Sequence, residues 1–134
     1  MKRLLILDTA ALLGAVLIIC LVVGCVGEVE TYQDVGQTIN IDVDQEFVIA
    51  LGSNITTGYS WQASYDETML ELVGGQSEYE PSEEAEEGLV GAGGIEYFRF
   101  KALKAGETEI TLVYKQPWAG GGISETKVFT VNID

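Results

Sequence analysis

The side chains best suited to chemistry in this chain are hydroxyl, amide and aromatic groups on short segments that contain glycine. In the first segment, residues 54–59, Asn54 can cap its own turn by accepting hydrogen bonds from nearby backbone N–H groups, and Gly58 can take a positive φ. Thr56 and Thr57 are β-branched, so their hydroxyls are restricted to few rotamers. These residue types predict a stiff, narrow and polar tip, which suits recognition better than bond breaking.

Two further segments have the composition of loops that could contact a partner. Residues 91–94 are rich in glycine, which lets a backbone approach another chain closely. Residues 116–122 place Trp118 directly after Pro117, so a fixed backbone carries an aromatic side chain of the kind that dominates binding energy. Taken singly, each segment has an ordinary alternative: a polar turn, simple loop flexibility, or packing of Trp118 back onto the fold.

Catalytic chemistry finds little support in the residues present. The chain has no histidine, which removes the usual base for a serine or cysteine nucleophile and the commonest metal ligand. The acidic residues concentrate between Gln76 and Gly94, where a flexible segment would not hold the geometry of an acid–base pair. They also lack the spacing of an EF-hand calcium loop. We therefore expect no enzyme activity, no cofactor and no metal site.

Runs of alternating apolar and polar residues surround the three segments and predict the strands that must position them. Turn signals separate these runs, and no run has a sustained helical period. The runs centre on residues 39–43, 47–51, 59–63, 70–72, 97–102, 110–114 and 129–133. The pattern predicts an all-β fold in which each segment is a loop between two strands, with Trp61 in the core.

In this order, the three segments resemble the motifs of the chagasin family of cysteine-peptidase inhibitors. That family carries N-P-T-T-G-[YF], then G-x-G-G, then R-P-W, on three loops at one end of an immunoglobulin-like sandwich. The resemblance covers roughly residues 36–134, and Ile55 and Gln116 stand where the family has proline and arginine. It implies an immunoglobulin-like antiparallel sandwich of seven to eight strands, present as a monomer.

The resemblance also implies a function and the residues that perform it. In the family, the first loop enters the peptidase cleft over the catalytic Cys–His pair without being cut, and the tryptophan of the third loop lies along one side of the cleft. For this chain it implies reversible, competitive inhibition of papain-like cysteine peptidases. The residues implied to contact the peptidase are Asn54, Thr56, Thr57, Gly58, Tyr59, Gly91, Gly93, Gly94, Gln116, Pro117 and Trp118.

Two other functions stay open beside inhibition. One is a non-inhibitory, surface-tethered immunoglobulin-like module that uses the same end of the sandwich for adhesion or assembly. The other is a lipoprotein with only a structural role.

The N-terminal residues predict export and attachment to a membrane. Lys2 and Arg3 precede a stretch of 19 residues, 9–27, that has no charge and contains a lipobox-like sequence ending at Cys25. Cleavage before Cys25 would leave its thiol to carry lipid. The alternative is an uncleaved N-terminal helix, since the stretch is long enough to span a bilayer.

Both alternatives place the protein outside the cell, tethered to the outer face of the cell membrane. The predicted domains are a lipoprotein-type signal peptide or membrane anchor at 1–24, a tether at 25–37 and the sandwich at 38–134.

Composition limits the partners of this domain. Both cysteines lie in the N-terminal stretch, so the domain has neither a disulfide nor a thiol nucleophile. Without Lys2, Arg3 and Asp8 the chain keeps 20 acidic and 5 basic residues, and a net charge of −15 excludes nucleic acid as a partner. Six glutamates crowd into residues 76–94, and their mutual repulsion predicts a solvated, mobile loop there.

Overall fold

A computed structural model of the chain describes residues 28–134, which form nine strands. The predicted signal peptide or anchor and Cys25 lie outside the described residues. Within 28–134, no helix is both long and apolar enough to cross a membrane. The strands are β1 Glu30–Tyr32, β2 Ile39–Ile41, β3 Glu46–Ser53, β4 Ser60–Ser64, β5 Leu70–Leu72, β6 Glu78–Pro81, β7 Gly94–Ala102, β8 Gly106–Lys115 and β9 Ile123–Ile133.

The strands form two sheets. The first has the order β1-β3-β7-β5, with β6 also paired to β7, and the second has the order β2-β9-β8-β4. Most pairs are antiparallel, but β1 runs parallel to β3 and β2 runs parallel to β9. The all-β prediction is confirmed, whereas a purely antiparallel arrangement of seven to eight strands is wrong. The sheets are mixed because a short parallel strand covers one edge of each.

Two short strands account for most of the difference from the prediction. β1 lies within residues 25–37, which were predicted to be a tether, and β6 lies within residues 76–94, which were predicted to be a mobile loop. Both are edge strands of three or four residues, too short for a period of two to stand out in the sequence. The structure places part of each segment in the first sheet.

Side-chain contacts explain why these edge strands form. Tyr32 of β1 packs edge to face against Phe47, with ring centroids 6.3 Å apart. Partial burial and a hydrogen bond to Glu30 raise the pKa of Tyr32 to about 12. On β6, a hydrogen bond between Glu80 and Tyr97 of β7 raises the pKa of the Tyr97 hydroxyl. Backbone pairing with cross-strand side-chain contacts therefore holds β6 despite its charge.

One hydrophobic core lies between the two sheets, and both sheets contribute to it. Its members occupy alternate positions along their strands, as the period-two runs predict. The largest fully enclosed side chains are Phe47, Ile49, Leu70 and Phe100 from the first sheet and Ile39, Ile110, Leu112, Phe129 and Val131 from the second. This single core fixes the two sheets face to face and leaves the strand ends to carry loops.

Trp61 of β4 belongs to this core, as predicted, and is 4% exposed. Its ring stacks on Tyr114 with centroids 4.9 Å apart, and its indole N–H donates to the Gly52 carbonyl at 2.9 Å. The Gly52 carbonyl belongs to β3 of the other sheet, so this bond joins the two sheets where β3 ends.

We predict that Trp61→Ala destabilises the domain by about 3 kcal/mol, because it leaves a cavity in the core and an unpaired Gly52 carbonyl. Chemical unfolding of the variant and the parent measures the difference. Gln62→Ala is the matched control, since the neighbouring Gln62 side chain points away from the core and is exposed. A loss below about 1 kcal/mol for Trp61→Ala would show that Trp61 is not a core residue.

Candidate functional site

The three segments singled out in the sequence meet at one end of the sandwich, here called the loop end. The first loop, residues 54–59, passes from β3 in one sheet to β4 in the other. The second loop, residues 91–93, leads into Gly94 and β7, and the third loop, residues 116–122, joins β8 to β9. The strand register places the three loops next to the same strand ends, because Ser53 pairs with Gly94 and Ser60 pairs with Lys115.

The first loop is a closed turn built from its own side chains. Asn54 Oδ1 accepts hydrogen bonds from Thr56 N at 3.2 Å and Thr56 Oγ1 at 2.5 Å. Thr57 Oγ1 donates to the Asn54 carbonyl at 2.6 Å. Gly58, with a φ of 79°, donates its N–H to the Ile55 carbonyl at 3.1 Å. The predicted cap and positive φ are both present, although Ile55 cannot fix its backbone as proline would.

The second loop is tied to the first by a single hydrogen bond and by close packing. Asn54 Nδ2 donates to the Gly91 carbonyl at 2.8 Å. A Cβ atom on Gly93 would lie 3.0 Å from the Ser53 carbonyl oxygen, and one on Gly94 would lie 2.2 Å from the Glu80 carbonyl oxygen. The packing of the protein itself therefore requires glycine at Gly94 and favours it at Gly93.

The third loop contacts the first through Trp118. The edge of the indole covers Gly58, so a Cβ atom on Gly58 would lie 2.4 Å from Trp118 Cη2. Trp118 is nevertheless 54% exposed, so much of its side chain is open to solvent. Nearby, a Cβ atom on Gly122 would lie 3.3 Å from the Tyr59 hydroxyl. These contacts bring the third loop against Gly58 and Tyr59 of the first loop.

Hydrogen bonds across its base close the third loop. Gln116 N donates to the Gly122 carbonyl at 3.1 Å, and Gly122 N donates to Gln116 Oε1 at 3.3 Å. Within the loop, Gly121 N donates to the Trp118 carbonyl at 3.0 Å. Gln116, one of the predicted contact residues, therefore has its side chain engaged within the loop, while Pro117 fixes the backbone before Trp118.

Tyr114 supports the first loop from below, and the sequence reasoning did not assign it to the site. Its hydroxyl accepts a hydrogen bond from Asn54 N at 2.8 Å. Its ring lies between Trp61, at 4.9 Å, and Tyr59, at 5.4 Å between centroids. In the sequence, the one sign of this role is that Tyr114 stands near the end of an alternating run, just before the predicted third loop.

Glu96 is a second residue that the sequence reasoning missed. It is only 3% exposed, although it carries a carboxylate. Its Oε1 atom accepts from Ser53 Oγ at 2.6 Å and from Trp61 N at 3.1 Å, and its Oε2 atom accepts from Ser77 Oγ at 3.2 Å. Glu96, Phe98 and Phe100 are alternate residues of β7, and all three point into the interior. A charged residue at an inward position of an alternating strand is visible in the sequence and could have identified Glu96.

The surface formed by the three loops is uncharged. None of residues 54–59, 91–94 and 116–122 is acidic or basic. Shortly before the second loop in the chain, by contrast, three glutamates lie in the short helix α1, Glu83–Glu86, and a fourth follows at Glu87. The large apolar side chains exposed on the first and third loops are Ile55 and Trp118. Among residues 28–134, no group of acidic residues is arranged to hold a metal ion. Such a surface can bind through hydroxyl, backbone and aromatic groups without stripping water from an ion.

Comparison with known proteins identifies relatives across the described domain. A family model described as "Chagasin family peptidase inhibitor I42" matches residues 40–133. Amoebiasin-1 from Entamoeba histolytica is 34% identical over 96 residues, covering 72% of this chain and 89% of that protein. Chagasin from Trypanosoma cruzi is 32% identical over 102 residues, covering 72% of this chain and 86% of that protein. The solution structure of amebosin aligns with a TM-score of 0.66 and 31% identity, covering 81% of this chain and all of that one.

We predict that Gly58→Ala displaces Trp118 from the first loop, because the added Cβ would overlap the indole edge. Trp118 should become more accessible, with fluorescence shifted to longer wavelength and stronger acrylamide quenching. The matched control is Gly74→Ala, because Gly74 has a similar φ of 81° but nothing near its Cβ position. Each variant should lose about 1 kcal/mol of stability from the strained backbone. Unchanged Trp118 fluorescence in Gly58→Ala would contradict the contact.

Proposed function

Because the chain belongs to the chagasin family of peptidase inhibitors, which are not enzymes, we propose that it inhibits papain-like cysteine peptidases by inserting its three loops into the active-site cleft. The observation that carries this proposal is the convergence of all three loops on one uncharged surface, tied together through Asn54 and Trp118. Three separate loops with no mutual contact would not present one shape to a cleft.

The first loop has the properties of a wedge. It is narrow because the chain reverses over residues 54–59, and it is closed by bonds from Asn54, Thr57 and Gly58. A loop already ordered in the free protein loses little conformational entropy when it enters a cleft. It also brings no charge that would have to leave water. Both features favour binding in a deep, partly apolar cleft.

Trp118 supplies the anchor beside this wedge. Half-exposed and held against Gly58, its ring can cover one side of a cleft while the first loop fills the centre. On the other side, Gly91 leaves an open backbone for main-chain contact, since nothing lies within 4 Å of its Cβ position. The proposed contact residues are thus arranged in three adjacent parts, with the wedge in the middle.

We propose that the complex is non-covalent, so that inhibition is reversible and competitive. Residues 28–134 contain no cysteine or histidine to form or assist a covalent bond. The bonds that close the first loop would also oppose any rearrangement of its backbone within the cleft. The inhibitor chain should therefore leave the cleft uncut.

We also propose that the domain is exported and tethered through Cys25 lipid or an uncleaved N-terminal helix. The described chain enters through β1, where Glu30 lies level with Phe47 near the start of β3. The first loop follows the far end of β3, roughly 20 Å away at the rise of an extended strand. A tether at that entry would therefore leave the loop end facing outward, away from the membrane surface.

The direct test is a titration of papain with the full-length chain in a mild detergent, with detergent alone as a control. We predict complete, competitive inhibition that is lost on dilution, with the inhibitor recovered intact by mass spectrometry. A serine peptidase such as trypsin should keep its activity. A stable covalent adduct, or cleavage between Thr56 and Gly58, would contradict the wedge, and no inhibition at all would favour an adhesion module.

We predict that Trp118→Ala raises the inhibition constant by roughly 30-fold, the equivalent of losing about 2 kcal/mol of binding free energy. The unfolding midpoint should hardly change, because the ring is half in solvent. Leu103→Ala is the matched control, since it truncates another partly exposed apolar side chain, at the turn between β7 and β8 away from the loop end. Equal inhibition constants for the two variants would remove the third loop from the proposed interface.

A further inference from the structure

We propose that Glu96 is the positioning residue of the inhibitory loops, acting through the two stems of the first loop and not by contact with the peptidase. The inference rests on the proposed function, because it assigns a residue to the same surface. Glu96 lies in β7 below the loop end and is 3% exposed, so a partner bound at the loop surface would not reach its carboxylate. Its effect must pass through the groups that it holds.

The carboxylate binds the residues on both sides of the first loop. Ser53 is the last residue of β3 before the loop, and Trp61 is the second residue of β4 after it. Ser53 Oγ and Trp61 N both donate to the same oxygen, Glu96 Oε1, at 2.6 Å and 3.1 Å. One atom therefore fixes how far apart the two stems can stand.

This bond set joins the two sheets at the place where the wedge begins. Ser53 and Glu96 belong to the first sheet, while Trp61 belongs to the second. The first loop crosses between the sheets in six residues, so a small shift of one sheet against the other would change its width. Such a shift at the base is transmitted to the tip, where a misplacement of about 1 Å is enough to weaken a close fit.

The second carboxylate oxygen of Glu96 binds the segment that leads to the second loop. Ser77 Oγ donates to Glu96 Oε2 at 3.2 Å, just before β6. β6 then pairs with the start of β7, with Pro81 opposite Gly94. The Glu96 side chain therefore binds segments that flank both the first and the second loop, and these two loops meet through the bond between Asn54 and Gly91.

A buried carboxylate is costly unless its oxygens are hydrogen-bonded, so its presence at an inward position of β7 calls for a specific use. Within residues 28–134 it forms no salt bridge, and its donors are a backbone N–H and two hydroxyls. An apolar side chain would fill the position but would leave Trp61 N without this acceptor. The acceptor oxygens matter here more than the charge, and glutamine should replace much of their function.

The test compares Glu96→Met with Glu96→Gln in the full-length chain. Met fills the site but accepts no comparable hydrogen bonds, whereas Gln Oε1 can still accept from both Ser53 and Trp61. We expect Glu96→Met to raise the inhibition constant for papain by about tenfold or more and Glu96→Gln to stay within about threefold of the parent. Ile133→Ala, a core truncation at the opposite end, is the control and should leave the inhibition constant unchanged at temperatures where it is folded.

Hydrogen–deuterium exchange supplies a readout that does not depend on the peptidase. In Glu96→Met, amides of residues 54–61 should exchange at least about tenfold faster, while those of β2 and of the end of β9 should not change. Uniformly faster exchange, as expected for a merely structural role, would overturn the positioning role. So would normal inhibition and normal exchange by Glu96→Met.

The role of Glu96 can be tested even if the proposed function is wrong. If the parent chain fails to inhibit papain, the proposed function is wrong, and selective exchange at residues 54–61 still decides whether Glu96 positions the loop.

If Glu96→Met does not fold, Ser53→Ala replaces it, since it removes the shorter bond to Glu96 Oε1. Faster exchange of Trp61 N–H in Ser53→Ala supports the role, and unchanged exchange overturns it.

Discussion

The carboxylate of Glu96 lies in the interior near the loop end, where donors from three separate segments converge on it. Two of these donors belong to opposite sheets, and the chain between them is the first loop. A core of apolar side chains holds the sheets together through burial and dispersion, which have little directional preference. Directional hydrogen bonds at the sheet ends add the alignment that the core does not supply.

The loop surface depends on that alignment because each loop is ordered by contact with its neighbour. Asn54 reaches the second loop through Gly91, and Gly58 makes room for Trp118 of the third. Below them, Tyr114 binds Asn54 N and stacks between Tyr59 and Trp61. The core therefore positions the stems, and the stems position the loops. Because the loops are already structured in the free protein, an uncharged surface could act as an effective wedge.

Much of this arrangement could be predicted from the sequence, and the exceptions have physical causes. Alternating runs gave the principal strands and the core position of Trp61, because a two-sided strand must place every second residue inward. The short edge strands β1 and β6 were missed because three or four residues carry too little periodicity. In β6, the crowded glutamates also predicted solvation, whereas pairing with β7 and the Tyr97 contact hold the strand in place.

The loops themselves were recognisable, but not the bonds that join them. The turn chemistry of Asn54 and Gly58 is local, so residue types alone predict it. The contact of Trp118 with Gly58 and the burial of Glu96 involve residues far apart in the chain, and only the fold brings them together. Gly93 and Gly94 show the same limit, since their close neighbours are Ser53 and Glu80 of other strands.

The three loops are proposed to form a single pre-ordered surface for the active-site cleft of a papain-like peptidase. Hydrogen–deuterium exchange of the full-length chain, free and saturated with papain whose catalytic cysteine is blocked by a small alkyl group, tests it most directly. We predict added protection at residues 54–59, 91–94 and 116–118, with none in β2 or in the turn between β7 and β8. Protection at the opposite end of the sandwich, or at only one of the three loops, would contradict it.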